Sequence, residues 1–352
     1  MTKSPHAFRT SSIITPIAAP VDALGRRLHD LRLSVTDRCN FRCTYCMPKE
    51  VFGRDHAFLP KSEILTFEEL LRLSRIFVGL GVEKIRLTGG EPLLRRGLPK
   101  LVEMLAGIEG LKDLTLTTNG SALAALAKPL RDAGLMRLTV SVDALDETVF
   151  RAMNDVDFPL ARVLEGIDAA LDAGFGPIKI NMVVKRGVNE HQIVPMVKHF
   201  SGSHYILRFI EFMDVGTTNG WCLDDMVPAA EIVSLIQREI SLVELPPNYA
   251  GEVARRFRHA DGGGEVGVIS SVTQPFCQGC TRARIAADGQ FYTCLFAAAG
   301  HDLRALLRGG LSDEGIAKAL AALWSVRDDR YSELRSDATV SLPKAEMSRL
   351  GG

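Results

Sequence analysis

Residues 31–46 run Leu31-Arg-Leu-Ser-Val-Thr-Asp-Arg-Cys39-Asn-Phe-Arg-Cys43-Thr-Tyr-Cys46, an apolar-polar alternation followed at once by three cysteines. The alternation predicts a β-strand, and the C-x3-C-x2-C spacing gathers three thiolates in the loop that follows it. Three ligands are one fewer than a four-iron cluster takes, so one iron would be left open to bind a small molecule. The alternative is a structural zinc site, although zinc normally takes four protein ligands. The stretch therefore indicates a reaction centre at the end of a strand.

Strand-like and helix-like patterns alternate through the first two thirds of the chain. The predicted strands are Leu31–Thr36, Lys84–Thr88, Asp113–Thr118, Met136–Asp143, Ile178–Val184 and Tyr205–Met213. The predicted helices are Thr66–Leu80, which opens with a Thr66/Glu69 capping box, Leu98–Ala106, Ala122–Ala133, Leu160–Ala173 and His191–Phe200. Repeated strand-helix units imply parallel strands joined by right-handed crossovers. The predicted class is α/β, with either an open sheet or a barrel.

One face of each predicted strand is polar. Arg32, Arg86, Lys179 and Asn181 each alternate with aliphatic neighbours. A filled eight-stranded barrel would usually carry Val, Ile and Leu at such positions. Parallel strands covered by helices rarely turn a polar face to water. The pattern therefore predicts a polar lumen that holds a ligand.

Short motifs follow the first four predicted strands. The cysteine loop follows the first strand, Gly89-Gly90-Glu91-Pro92 the second and residues 117–120 the third, while Asp143 ends the fourth. Catalytic residues in folds of parallel strands collect where the strands end. We therefore expect these motifs to form one site.

A second triplet of cysteines lies far along the chain, at Cys277, Cys280 and Cys294. The segment between the last two predicts a β-hairpin that turns at Asp288-Gly289 and brings Cys294 back towards the other pair. Again there are three ligands, and no histidine falls between residues 274 and 299. A zinc site would have to recruit a fourth ligand from farther away. A second cluster with an open iron is the favoured prediction.

Composition and charge limit the classes of protein to which the chain can belong. Of the 352 residues, 46% are hydrophobic and 24% charged, and 42 basic residues balance 42 acidic ones, so no net field draws the chain to nucleic acid or to an anionic membrane. No run of about 18 apolar residues could span a bilayer. Seven cysteines grouped as three, three and one favour a reducing compartment. We expect a cytoplasmic protein that binds neither nucleic acid nor membrane, with residues 1–25 as a flexible leader.

The first triplet, with Tyr45 directly before its third cysteine, resembles that of the radical S-adenosylmethionine (SAM) enzymes. The second triplet, the Thr281-Arg-Ala-Arg284 string within it and the terminal Gly351-Gly352 are similar to the GTP 3',8-cyclase (MoaA) family of that superfamily. The resemblance runs from about residue 31 to the end of the chain. It implies a partial (β/α)6 TIM-like barrel over residues 26–215. It also implies a C-terminal region, residues 216–352, that carries a second iron-sulfur cluster and the Gly-Gly tail and completes the same functional unit.

The resemblance implies a reaction as well. The family converts GTP to 3',8-cyclo-7,8-dihydro-GTP, the first step of molybdenum cofactor (molybdopterin) biosynthesis, so the chain would be a lyase. The implied cofactors are two 4Fe-4S clusters and SAM. The open iron of the first cluster binds SAM, whose reductive cleavage gives a 5'-deoxyadenosyl radical that abstracts the hydrogen at ribose C3'. The guanine would lie at the open iron of the second cluster.

Matching positions assign roles to individual residues. The implied cluster ligands are Cys39, Cys43 and Cys46 for the first cluster and Cys277, Cys280 and Cys294 for the second. The implied SAM contacts are Tyr45, Gly90, Ser141 and Met213. The implied GTP contacts are Arg32, Arg86, Thr117, Lys179, Arg282, Ala283 and Arg284, of which Arg282 and Arg284 join the first triplet as the catalytic set. Gly351 and Gly352 are expected to enter the site.

The family also suggests partners. Besides GTP, these are an electron donor of unknown identity, a cyclic pyranopterin monophosphate synthase that consumes the product, and a second copy of the chain in a homodimer. Two other functions fit part of the pattern. A radical SAM enzyme that modifies peptides would share the first triplet but usually carries more auxiliary cysteines. A non-catalytic iron-sulfur protein would need neither the Gly-Gly-Glu-Pro loop nor the polar lumen.

Overall fold

The strands and helices come from a computed structural model, which describes residues 18–249, 251–340 and 342–351. The strands are β1 Asp30–Ser34, β2 Lys84–Thr88, β3 Asp113–Thr118, β4 Arg137–Ser141, β5 Ile178–Val184, β6 Tyr205–Glu211, β7 Leu242–Leu245, β8 Arg255–His259, β9 Glu265–Ile269, β10 Arg282–Ile285, β11 Gln290–Tyr292 and β12 His301–Asp302. The helices are α1 Phe67–Gly79, α2 Leu98–Ala106, α3 Leu123–Asp132, α4 Glu147–Asn154, α5 Leu160–Asp172, α6 Ile193–His199, α7 Ala229–Gln237, α8 Leu303–Arg308, α9 Asp313–Ser325, α10 Asp337–Val340 and α11 Met347–Leu350.

All the strands lie in one sheet, in the order β12-β11-β10-β1-β2-β3-β4-β5-β6-β9-β8-β7. The six strands predicted from the sequence form its centre and pair in chain order, each parallel to the next. The predicted α/β class is therefore confirmed. The observed β4 and β6 are shorter than predicted, since they end at Ser141 and Glu211 rather than at Asp143 and Met213.

The C-terminal region extends the sheet at both edges. β10 adds parallel to β1, and β9 adds parallel to β6. An unpaired edge strand would expose a row of backbone donors and acceptors. The added strands β10 and β9 pair with these groups at both edges of the six-stranded centre. The hairpin predicted to turn at Asp288-Gly289 is present as the antiparallel pair of β10 and β11. The second triplet is thus fixed to the same sheet as the first.

Apolar packing and helix caps explain the local structure. Leu31 and Leu33 of β1 share one buried cluster with Leu70 of α1, so the aliphatic face of the strands packs on the helices. The predicted capping box forms, because Thr66 Oγ1 accepts from the amide of Glu69 at 3.1 Å and the Glu69 carboxylate accepts from the amide of Thr66 at 2.8 Å. Helix α4 was not predicted.

Part of the segment predicted as a flexible leader belongs to the folded body. Residues 1–17 lie outside the described part of the chain, but Val21 forms a backbone bridge with Arg27. The Asp22 side chain is buried and hydrogen-bonded. The boundary predicted at residue 25 is therefore too late. No helix in the described ranges is long and apolar enough to cross a membrane.

Candidate active site

The polar face of the sheet borders a chamber with about 1240 Å³ of atom-free space, part of which is open to solvent. Its wall includes Tyr45 of the first triplet's loop and all three cysteines of the second triplet. A smaller cavity of about 630 Å³ lies next to it, beside the first residues of β1 and β2. The two spaces share four arginines, namely Arg32, Arg86, Arg208 and Arg282. A single elongated ligand could therefore reach from the second triplet to the cationic cavity.

The loop of the first triplet is held by its own backbone and by neighbouring loops. The amide of Cys46 donates to the carbonyl of Cys43 at 2.9 Å. Arg42 Nη1 donates to the carbonyl of Cys39 at 2.8 Å. From the loop after β3, Asn119 Nδ2 lies 3.9 Å from Cys39 Sγ as a weak donor. The strand-end motifs therefore do meet around this triplet.

The Gly-Gly-Glu-Pro loop packs tightly against the cysteine loop. A Cβ at Gly90 would lie 2.3 Å from the carbonyl oxygen of Arg38, so only glycine fits there. Glu91 is buried and accepts hydrogen bonds from the Thr118 hydroxyl at 2.7 Å and the Asn119 amide at 2.7 Å. Burial outweighs these bonds and raises the pKa of Glu91 to about 7. Glu91 ties the loops after β2 and β3 together.

Two of the predicted SAM contacts, Tyr45 and Ser141, lie by the carboxyl end of β4. The Tyr45 hydroxyl donates to Asp143 at 2.8 Å, and the other oxygen of Asp143 accepts from the amide of Val183 at 2.9 Å. Burial raises the pKa of Asp143 to about 6. Ser141 ends β4 in register with Asn181 of β5, which lines the chamber. Asp143 thus holds in place the ring of Tyr45, which the family resemblance implies as a SAM contact.

Cys280 differs from the other buried cysteines in its electrostatic surroundings, since burial raises the pKa of Cys294 in the same triplet to about 11. Burial raises the pKa of Cys39 to about 12 and raises the pKa values of Cys43 and Cys46 well above the ordinary value. At Cys280, burial opposes ionisation, but the guanidinium groups of Arg282 and Arg327 outweigh it and lower the pKa to about 6. The first triplet would therefore ionise only when a metal replaces the thiol protons.

Each triplet supplies three free cysteines, whereas a structural zinc site takes four ligands. A four-iron cluster held by three cysteines keeps one iron open to a small molecule. Cys222 is exposed and belongs to neither triplet.

Arginines from three neighbouring strands form one row across the sheet. Arg284 of β10, Arg32 of β1 and Arg86 of β2 lie in register and line the chamber. Arg86 Nη1 donates to the hydroxyls of Thr117 at 2.8 Å and Thr139 at 3.1 Å. Burial and the three neighbouring guanidinium groups lower the pKa of Arg32 well below its usual range. Such crowding of buried cations is costly unless an anion binds there.

Arg282 and Ala283 of β10 have different surroundings. Arg282 lines the chamber, where its Nη2 lies 3.3 Å from Cys280 Sγ and its guanidinium lies 4.8 Å from the centre of the Phe276 ring. Ala283, by contrast, is fully buried in the apolar core on the opposite face of the strand. The structure therefore does not bring the Ala283 side chain to the site, because neighbouring strand residues alternate in direction.

The sequence analysis missed two cations of the smaller cavity. Lys84 opens β2 and Arg208 lies on β6, and both line this cavity together with the predicted Lys179. Burial lowers the pKa of Lys84 to about 8, that of Lys179 to about 7 and that of Arg208 to about 9. The two-residue period that identified Arg86 also places Lys84 on the inward face of β2. The same period along β6 would have identified Arg208.

The C-terminal tail enters the barrel. The carbonyl of Gly351 accepts from Arg32 Nη1 at 3.3 Å, and the carbonyl of Arg349 accepts from the Ser34 hydroxyl at 3.0 Å. Upstream, Lys344 Nζ donates to Asp214 at 3.0 Å, directly after Met213 in the chamber wall. The tail is thus fastened to the loop after β6. Gly352 lies outside the described residues.

Comparison with known proteins identifies the family. Residues 33–200 match the family model described as Radical SAM superfamily, and residues 205–333 match the one described as Molybdenum Cofactor Synthesis C. A GTP 3',8-cyclase of Acidothermus cellulolyticus is 56% identical over 319 residues, which cover 90% of this chain and 88% of that protein. A GTP 3',8-cyclase of Staphylococcus epidermidis is 49% identical over 335 residues, covering 94% of this chain and 98% of that one. The chain belongs to the GTP 3',8-cyclase family.

Among solved structures, Streptococcus suis SuiB bound to S-adenosylmethionine superposes with a TM-score of 0.56 at 15% identity, covering 88% of this chain and 68% of that one. At this identity the likeness concerns the fold alone, and it confirms the predicted radical SAM architecture. Membership of the GTP 3',8-cyclase family confirms the predicted class of enzyme, its activity in molybdenum cofactor biosynthesis, and SAM and 4Fe-4S clusters as its cofactors.

Proposed function

We propose that GTP lies along the chamber, with its guanine beside the second triplet and its triphosphate in the smaller cavity. The single observation that carries this proposal is that the two cavities share Arg32, Arg86, Arg208 and Arg282 while one holds the second triplet. Six cationic side chains and the two carboxylates of Asp30 and Glu252 line the smaller cavity, and a triphosphate would neutralise the excess of positive charge. The bound nucleotide would lie with its ribose in the chamber, near the wall that contains Tyr45.

In this proposal each triplet holds a 4Fe-4S cluster, and SAM occupies the space between the first triplet, Tyr45, Gly90, Ser141 and Met213. Bound there, the cluster and SAM would supply the radical chemistry that abstracts hydrogen from the ribose. The protein's own side chains and tail position the nucleotide and close the site around it. Arg282 and Arg284 hold the nucleotide beside the second triplet, Arg86 is oriented by Thr117, and the Gly351 backbone closes the barrel beside Arg32.

We propose three macromolecular partners: an electron donor for the first cluster, a cyclic pyranopterin monophosphate synthase for the product, and a second copy of the chain. Family membership supports each, and light scattering of the purified protein tests the homodimer.

We also propose that the enzyme works in the cytoplasm. Its seven cysteines are all free, as thiols remain in a reducing compartment.

Anaerobic turnover tests the proposed function. Reconstituted protein with dithionite, SAM and GTP deuterated at C3' should yield 5'-deoxyadenosine that carries the deuterium, together with a cyclised nucleotide. GTP deuterated at C4' is the matched control and should give unlabelled 5'-deoxyadenosine. A peptide-modifying enzyme would not turn over with GTP alone, and a non-catalytic iron-sulfur protein would not cleave SAM. Absence of label from C3' would contradict the arrangement of GTP proposed here.

The affinity for GTP should weaken as the pH rises above 7. Burial and the nearby Arg208 lower the pKa of Lys179 to about 7, and burial lowers that of Lys84 to about 8. A bound triphosphate would favour the charged lysines and raise both pKa values, so binding takes up protons and is strongest below pH 7. Between pH 7 and 8.5 we expect the dissociation constant to rise roughly tenfold.

Calorimetry in buffers of different ionisation enthalpy measures both the affinity and the proton uptake. The matched control is Lys179→Arg, because arginine stays charged over this range. The variant should bind with a flatter pH profile and take up fewer protons. Identical profiles for the two proteins would mean that Lys179 is not a phosphate ligand.

A further inference from the structure

Three charged side chains are buried together against the loops of the second triplet. The side chains of Asp22, Arg26 and Arg327 are 0%, 2% and 1% exposed. Asp22 Oδ2 accepts from Arg26 Nε at 2.6 Å and from Arg327 Nη1 at 2.8 Å. The two guanidinium groups share the Asp22 carboxylate, and Arg327 Nε also lies 3.3 Å from Asp329 Oδ2. The four side chains together carry no net charge, so any effect on the triplet comes from where the two guanidinium groups are placed.

The two guanidinium groups donate to the backbone of every cysteine segment of the second triplet. Arg26 Nη1 donates to the carbonyl of Cys277 at 2.7 Å. Arg327 Nη1 donates to the carbonyl of Cys280 at 2.9 Å, and its Nε donates at 3.1 Å to the carbonyl of Thr293, the residue before the third cysteine. The three segments are therefore fixed relative to one another by donors that do not themselves bind metal.

Stability alone does not account for these charges. Burying an ion pair costs more free energy than its Coulomb attraction usually returns, and apolar replacements of similar volume are often no less stable. Here the network also joins opposite ends of the chain. Trp324 donates its indole N–H to the carbonyl of Arg26 at 3.0 Å, and the Trp324 ring lies 4.6 Å from the Arg327 guanidinium. The chain thus positions fixed cationic donors at the triplet itself.

We propose that Asp22, Arg26 and Arg327 are positioning residues of the second cluster, which fix its three ligands and stabilise its reduced state. The proposal rests on the assignment of the second triplet as cluster ligands. Partners that orient the ligands of a metal site typically change metal affinity or activity by about 10- to 100-fold when mutated. Hydrogen bonding and nearby charge set the reduction potential of an iron-sulfur cluster. The Arg327 guanidinium donates directly to the carbonyl of Cys280, so its positive charge lies next to this ligand and favours the added electron.

The network also bears on the substrate. Arg282, which contacts Cys280 Sγ at 3.3 Å, lies on the chamber side of the same loop. If Arg327 no longer holds the carbonyl of Cys280, the loop that orients Arg282 is free to shift. The nucleotide beside the second cluster should then bind more weakly, even when the cluster itself is retained.

The test uses the full chain with Cys39, Cys43 and Cys46 replaced by serine, so that only the second cluster contributes to the signals. Iron and sulfide per chain, the electron paramagnetic resonance (EPR) spectrum of the reduced cluster, its reduction potential and the GTP dissociation constant are compared for this parent and its variants. The variants are Arg327→Met, which removes the charge, and Arg327→Lys, which keeps the charge but not the fork of donors.

The matched control is Arg72→Met. Arg72 also joins distant parts of the chain through a carboxylate and a carbonyl, since it donates to Asp313 at 2.6 Å and to the carbonyl of Leu311 at 2.5 Å. It lies on α1, outside both cavities. A loss of stability without any effect on the cluster is therefore what Arg72→Met should show.

We expect Arg327→Met to lower the reduction potential, alter the EPR spectrum and weaken GTP binding by roughly tenfold or more. Arg327→Lys should restore most of the potential but only part of the affinity, because one ammonium cannot serve both carbonyls. If Arg327→Met does not fold, the EPR spectra and GTP affinities of Arg327→Lys and Arg26→Lys are compared with those of the parent instead.

The outcomes separate this proposal from the one on which it depends. Variants that lose stability as Arg72→Met does, but keep the parent's potential, spectrum and GTP affinity, would show that the network is only structural and would overturn the inference. A parent that binds fewer than about four irons per chain would instead contradict the assignment of the second triplet.

Discussion

Replacing Cys43 with serine should abolish SAM cleavage and reduce the iron content from about eight to about four atoms per chain. Cys43 belongs to the triplet whose thiols are buried and whose pKa values are raised, so a metal must drive their ionisation. A serine hydroxyl is a poorer iron ligand than a thiolate, and two cysteines do not hold a four-iron cluster. The remaining iron should belong to the second triplet, whose cysteines lie around a separate hairpin formed by β10 and β11.

Anaerobic iron and sulfide analysis with an assay for 5'-deoxyadenosine measures this outcome. Cys222→Ser is the matched control, because Cys222 is exposed and belongs to neither triplet. This variant should keep both the iron and the cleavage activity. Cys280→Ser is the reciprocal variant and should keep SAM cleavage while it loses cyclisation. If Cys43→Ser still cleaved SAM at a substantial rate, Cys43 could not be a ligand of the first cluster.

The centre of the fold was predictable from local patterns. The aliphatic residues at every second position of β1 to β5 mark the face that packs on the helices, and the polar residues between them mark the face that lines the cavities. The capping box formed by Thr66 and Glu69 indicated where helix α1 begins. Helix α4 is as short as eight residues, and its Asp146 cap, which accepts from the amide of Val149 at 2.9 Å, was not recognised.

What the sequence could not give is pairing between distant segments. Leu31 pairs with Ala283, and Asp22 pairs with Arg327 across 305 residues. No periodicity in either segment specifies its partner, because the choice depends on which edge strand and which buried charge remain unpaired after the rest has folded. Ala283 is a different case, because the alternation of neighbouring strand residues turns its side chain to the core between Arg282 and Arg284. The family resemblance supplied motif positions but not the direction of each side chain.

Lys84 and Arg208 illustrate a different limit. Both lie on inward strand faces, yet a lone cation in a strand has no pattern that separates a phosphate contact from an ion pair. Arg137, at the start of β4, is bound to Asp113, whereas Arg208 donates to the neutral Asn181 at 3.0 Å. Only the three-dimensional arrangement distinguishes these two arginines. Among the residues that the structure describes, Arg208 forms no ion pair within 4 Å, and this leaves its charge available to a bound anion.

Replacing Gly351 with alanine should reduce cyclisation by roughly a hundredfold while the iron content and the uncoupled cleavage of SAM remain. A Cβ at Gly351 would lie 1.9 Å from the Thr88 hydroxyl, so the tail would have to move away from its contact with Arg32. A displacement of about 1 Å near reacting groups can cost about a hundredfold in rate. Product formation with GTP and 5'-deoxyadenosine formation without it, measured on the same preparation, separate the two effects.

Gly310→Ala is the matched control for this substitution. Gly310 has a φ of +81°, close to the +71° of Gly351, but a Cβ added there meets nothing within 4 Å among the described residues. Both variants place an alanine at a positive φ, and only Gly351→Ala also collides with the barrel. Equal losses of cyclisation activity in the two variants would indicate backbone strain as the cause. A loss confined to Gly351→Ala that Thr88→Gly partly restores would show that the tail works by close approach of its backbone to the site.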